Sequence, residues 1–156
     1  MKKYFFTAIL CVVFISPSCF AFSATADEVS VSLLKRWLSH EYSCKIDNDG
    51  DLVVNHSDQG KVFITVYTEK KFLRIRSGFS AYNKCSRAEM IYLANEFNRA
   101  KGLIYVYIMP DSSSFCEYYM WYNGGLNSVN LIEAIQCFIG GKLAWQNFVT
   151  TYKNKK

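Results

Sequence analysis

Residues Asp47-Asn48-Asp49-Gly50-Asp51 place three carboxylates, an amide and a glycine in five positions. A calcium loop of the EF-hand kind needs oxygen ligands at positions 1, 3 and 5, glycine at 6 and a bidentate glutamate at 12. With Gly50 as position 6, Asp47 and Asp49 fill positions 3 and 5, but Lys45 stands at position 1 and His56 at position 12. A lysine cannot ligate a hard cation, and the flanks alternate like strands. Asp-Gly between two such runs is a hairpin signal, because glycine accepts the positive φ that tight turns require. The stretch therefore reads as a turn.

Elsewhere the chemistry is sparse. His40 and His56 have no partner at a recognised metal spacing, and no nucleophile elbow or phosphate-cradling glycine loop occurs. Glu41, Glu96 and Glu117 could supply an acid/base pair in space, yet nothing in their spacing brings them together. No catalytic residue, metal or cofactor is assigned, and the chain is expected not to be an enzyme.

The cysteines say more. Cys11 and Cys19 fall in an N-terminal segment built like an export leader: basic Lys2 and Lys3, an apolar run from Tyr4 to Ile15, then Pro17-Ser18. Ala24-Thr25-Ala26 offers a cleavage site before Asp27, and Cys19-Phe20-Ala21 offers an earlier one. The expectation is a signal peptide over residues 1–26, one domain over residues 27–156, and a periplasmic or secreted protein. Cys44, Cys85, Cys116 and Cys137 remain, and in an oxidising compartment four cysteines suggest two disulfides. About sixteen helical residues after Cys85 travel roughly 24 Å, and the following strand returns roughly 20 Å. Cys116 then comes back near Cys85, which favours Cys85–Cys116 and leaves Cys44–Cys137.

The net charge of +5 falls to +3 without the two leader lysines. So mild a balance gives no reason to expect nucleic acid. No apolar stretch beyond the leader is long enough to cross a bilayer as a helix.

The elements that must position these residues follow from periodicity. Asp27 to Glu41 reads as a helix with Leu33, Leu34, Trp37 and Leu38 on one face. "SCKID", "DLVVNH", "KVFITVYTE" and "KFLRIRSGF" read as strands. "CSRAEMIYLANEFNRAKG" is a helix with a capping box at Ser86 and Glu89 and a stop at Gly102. "LIYVYIM" and "FCEYYMWY" are strands, and a last helix begins at Asn127 or Ser128. Gly140-Gly141 inside it calls for a bend or close packing, with "KLAWQNFVTTYKNKK" as a second helical piece. The order α-β-β-β-β-α-β-β-α gives an α+β sandwich of two layers, a mainly antiparallel sheet with its helices on one side.

On "FCEYYMWY", Tyr119 and Trp121 lie opposite to Cys116, Tyr118 and Met120. If the latter face packs on the helices, Tyr119 and Trp121 stand beside Arg74 and Arg76 as a partner-binding surface, since Tyr, Trp and Arg are enriched in interface hot spots. The competing reading is an ordinary sheet with rings on both faces.

The element order, with "DNDGDLVV", "GKVFITVY", "KFLRIRSGF" and "EMIYLANEFNRAKGLIYVYI", resembles the YbjN family of bacterial sensory-transduction regulators from about Val31 to Phe148. That resemblance implies a fold similar to type III secretion chaperones and a non-enzymatic module that binds a protein or peptide partner. It also implies that a homodimer is to be expected, and it carries no catalytic residues. The export leader and four mature cysteines depart from the family, which leaves a secreted protein acting on a host or competitor cell as the alternative.

Overall fold

Buried apolar residues alternate along the longer strands, as Val62 and Ile64 or Leu73 and Ile75 do, and the strands build one six-stranded antiparallel sheet. The computed structural model describes residues 21–83 and 85–154. Its elements are β1 (Ser23–Ala24), α1 (Val31–Leu38), β2 (Ser43–Ile46), β3 (Leu52–His56), β4 (Gly60–Tyr67), β5 (Phe72–Phe79), α2 (Arg87–Lys101), β6 (Tyr105–Ile108), β7 (Ser114–Trp121), β8 (Leu126–Asn127) and α3 (Ser128–Asn154). The sheet runs β2-β3-β4-β5-β7-β6, and β1 pairs with β8 in a separate two-stranded ladder. All three helices cover one face of the large sheet, so the fold is the expected two-layer α+β sandwich.

Local chemistry sets the ends of these elements. Asp47 Oδ1 accepts from the amides of Asp49 and Asp51 at 3.1 and 2.9 Å, and Gly50 takes φ 83°. The acidic run is thus the β2–β3 hairpin turn, with one carboxylate consumed by its own backbone. Helix α1 begins later than the expected Asp27, because Ser30 is its cap and accepts from the Leu33 amide. Upstream, Glu28 holds the amide and hydroxyl of Thr25, each at 2.8 Å, which closes a turn instead of a helix start. The capping box of Ser86 and Glu89 is present on α2, and Gly102 ends that helix at φ 58°.

The last helix is a single piece rather than two. Gly140-Gly141 lies inside that continuous helix, and a Cβ on Gly141 would lie 2.7 Å from Ile104 Cγ2, so the glycine allows close packing. Beneath the helices, Leu34, Trp37, Met90, Phe97, Phe138 and Trp145 meet Leu52, Ile64, Leu73, Ile75 and Val106 in one buried cluster. Trp145 satisfies its indole N–H on Ser114 Oγ at 3.2 Å.

Neither expected bridge is formed in the structure, and the fold uses residues before Asp27. Cys44, Cys85, Cys116 and Cys137 are all free thiols, so neither Cys85–Cys116 nor Cys44–Cys137 is bridged. Cys116 is buried on the inner face of β7, and Cys137 lies on the exposed stripe of α3 while Cys44 packs towards the core from β2. Residues before Asp27 also take part in the fold. Ala24 and Ala26 pack on the core, and β1 pairs with β8.

Candidate binding face

The helices leave the opposite face of the sheet open. Strand register decides which side chains stand there. Phe72 pairs with Trp121, Arg74 with Tyr119 and Arg76 with Glu117 across β5 and β7, while Tyr105 and Phe115 continue the face onto β6 and β7. Their strand neighbours Leu73, Ile75 and Cys116 are fully buried, which fixes the outward direction of this set by alternation.

Arg74, Arg76, Tyr119 and Trp121 therefore lie together on two adjacent strands. Trp121 is 63% exposed, Tyr105 56% and Tyr119 46%. Phe72 joins them, with its ring centroid 5.1 Å from Trp121, 5.7 Å from Tyr119 and 4.4 Å from Tyr67. The Arg74 guanidinium lies 5.5 Å from the Tyr67 ring centroid, within cation–π range. Phe72 and Tyr67 were not singled out from sequence, although their alternation with buried Leu73 and half-buried Val66 carries the signal.

The charges of the face are settled among themselves. Arg76 meets Asp51 at 2.9 Å, and Arg74 lies 4.0 Å from Glu117. Glu117 also accepts from the Tyr119 hydroxyl at 2.7 Å and from the Tyr107 hydroxyl at 3.2 Å. Donation to a carboxylate favours the neutral phenol, so Tyr119 is pushed up to about 12, with burial adding to it. Tyr107 is raised first by its burial and then by Glu117. The result is an aromatic face with two internally compensated ion pairs and little net charge to offer. Glu96 is spent separately on Arg99 at 2.6 Å, so the glutamates do not form an acid/base pair.

The β6 edge of the sheet is closed. Asn98 on α2 donates to the Val106 carbonyl and accepts from the Val106 amide, both at 2.8 Å. Its side chain occupies the place that an added strand would take. A shallow depression beside it is walled by Leu103, Tyr105, Glu117 and Tyr119. His40 stacks on Phe22 and His56 Nδ1 accepts from the Asp58 amide, so the two histidines serve local contacts.

The YbjN family, described as "Putative bacterial sensory transduction regulator", matches residues 26–147. The chain belongs to this family. No curated protein matches the sequence. Among solved structures, this YbjN protein is similar to an uncharacterized protein from Methanothermobacter thermautotrophicus. The identity is 18%, with a TM-score of 0.61, over 80% of this chain and 99% of that one. It is also similar to a chain of the HopA1–SchA chaperone–effector complex. There the identity is 9% and the TM-score 0.56, over 74% of this chain and 91% of that one. At these identities the likeness establishes the fold shared with the YbjN chain. Within that fold, Asn98 belongs to the "NEFNR" helix end by which the sequence resembles the family.

Proposed function

We propose that this YbjN protein is a non-enzymatic, chaperone-like module that binds an apolar segment of a protein partner on the open face of its sheet. The observation that carries the reading is the aromatic row of exposed Trp121 and Tyr119 with half-buried Phe72 between them. Large exposed rings beside arginine are the residues from which interface hot spots are built. Because Arg74 and Arg76 already face Glu117 and Asp51, the face favours apolar and aromatic side chains over an acidic peptide. The Asn98 clasp on β6 argues for docking on the face rather than strand addition at that edge. A chain of the same fold occurs in a chaperone–effector complex, which supports a protein as the partner.

The probe is reduced insulin B chain, an unfolded apolar chain that aggregates on its own. The protein is expected to slow that aggregation, and binding is expected to shield Trp121 from a fluorescence quencher. Trp121→Ala with Tyr119→Ala should weaken binding by about thirtyfold, since a hot spot is worth about 2 kcal/mol. Equal protection by wild type and the double variant, both folded by urea titration, overturns the proposal. So does a homodimer in light scattering that shields Trp121 without any client, because the face would then be a self-interface.

A further inference from the structure

Two tripeptides near the start of the chain carry the small–x–small pattern cut by a leader peptidase, Cys19-Phe20-Ala21 and Ala24-Thr25-Ala26. The fold uses the residues between the two cuts. Phe22 donates its amide to Ser128 Oγ at 3.0 Å, and its carbonyl accepts from the Ser128 amide at 2.8 Å. Ser23 and Ala24 then pair with Asn127 and Leu126. The Ala26 carbonyl accepts from Lys71 Nζ at 3.4 Å, and the Phe22 ring stacks on His40.

Gly125 is an independent witness. A Cβ there would lie 2.6 Å from the Ala24 carbonyl oxygen, and the residue sits at φ +98°. The β7–β8 connection is thus shaped around a strand that a cut after Ala26 would discard. That cut would also leave the buried Ser128 without the two Phe22 partners at the start of α3.

We propose that the export leader ends at Ala21 and that the mature chain begins at Phe22. The step is a hydrolysis: water adds across the Ala21–Phe22 amide, leaving a carboxylate on Ala21 and an ammonium on Phe22. The new ammonium has three N–H donors, so the bond to Ser128 Oγ persists after the cut. Residues 22–26 then remain as the strand that staples the start of α3, and Asp27 is an internal residue paired with Lys71 at 2.7 Å.

The full chain is expressed in a bacterium with its own leader, recovered from the exported fraction, and its first residue read by intact mass and N-terminal sequencing. Phe22 as the first residue is the expected result. Asp27 as the first residue, or an unprocessed Met1, overturns the proposal. Leaderless chains beginning at Phe22 and Asp27 are compared in urea as a second measurement. The Phe22 chain should unfold at higher urea, and Gly125→Ala should lower its midpoint more than that of the Asp27 chain. Equal midpoints for the two chains remove the structural reason for the cut at Ala21. Neither readout involves Trp121, so failure here is separate from failure of the binding face.

Discussion

Asn98 holds both backbone groups of Val106, donating to its carbonyl and accepting from its amide at 2.8 Å each. Because one strand residue points its N–H and C=O to the same side, this side chain replaces a missing neighbour strand at the centre of β6. Asn98→Ala would leave two backbone groups unpaired and cost about 1–3 kcal/mol. It would also open an edge able to pair with another chain. Urea titration should give the loss of stability, and size exclusion should give concentration-dependent association. Asn98→Asp keeps the acceptor and loses the donor, so it should fall between wild type and the alanine variant in edge association.

Lys142 enters the core from α3, donates to the Gln59 carbonyl and lies 5.3 Å from the Phe79 ring centroid. Burial disfavours its charged form and lowers its pKa, with Cys116 acting in the opposite direction. A cation with a depressed folded pKa binds fewer protons folded than unfolded, so stability rises with pH through that window. The stability of wild type relative to Lys142→Met should therefore increase as pH rises towards the ordinary lysine value. Paired urea titrations across the alkaline range measure it, and a flat difference would mean that Lys142 is solvated.

The four thiols should differ in reactivity by their surroundings. Burial pushes Cys116 up to about 12, with Lys142 lowering it only in part. Burial also raises Cys44, against a hydrogen bond from Ser39 and the charge of Lys35. Cys137 is exposed. Since the thiolate is the nucleophile, alkylation of the native protein should mark Cys137 first and Cys116 last. A denatured, unreduced chain that starts at Phe22, and so lacks Cys11 and Cys19, should take four labels; two lost pairs of labels would restore the disulfide expectation.

The sequence was legible wherever a local rule acted alone. Asp47 to Gly50 announced a hairpin, Ser86 and Glu89 a capping box, and Gly102 a helix end, because each depends on residues a few positions apart. Alternation placed Trp121 and Tyr119 opposite Cys116, though not what covers either face. What escaped had no period to read. The two-residue strand at Ser23 is defined only by Leu126 and Asn127, a hundred positions away. Path length brought Cys85 and Cys116 to the same neighbourhood, where both act on the buried Tyr82 phenol. Path length does not aim a thiol, and the pair stays unbridged. Asn98 looked like a polar residue on a helix because its partner is a strand edge that exists only once the sheet is built.

The two glycines of α3 should respond in opposite directions to the same substitution. Gly140 has open space where a Cβ would stand, whereas a Cβ on Gly141 would lie 2.7 Å from Ile104 Cγ2 and 3.1 Å from Cδ1. Helix propensity favours alanine over glycine at both by about 1 kcal/mol. At Gly140 nothing opposes that gain, so Gly140→Ala should stabilise by up to about 1 kcal/mol. At Gly141 the methyl group collides with a buried side chain, and overpacking of this kind costs about 1–3 kcal/mol. Gly141→Ala should therefore destabilise, and Ile104→Val should recover part of the loss by removing the Cδ1 methyl. Urea midpoints of the single and double variants test this. Equal gains at the two positions would show that α3 and the Ile104 segment are not in contact.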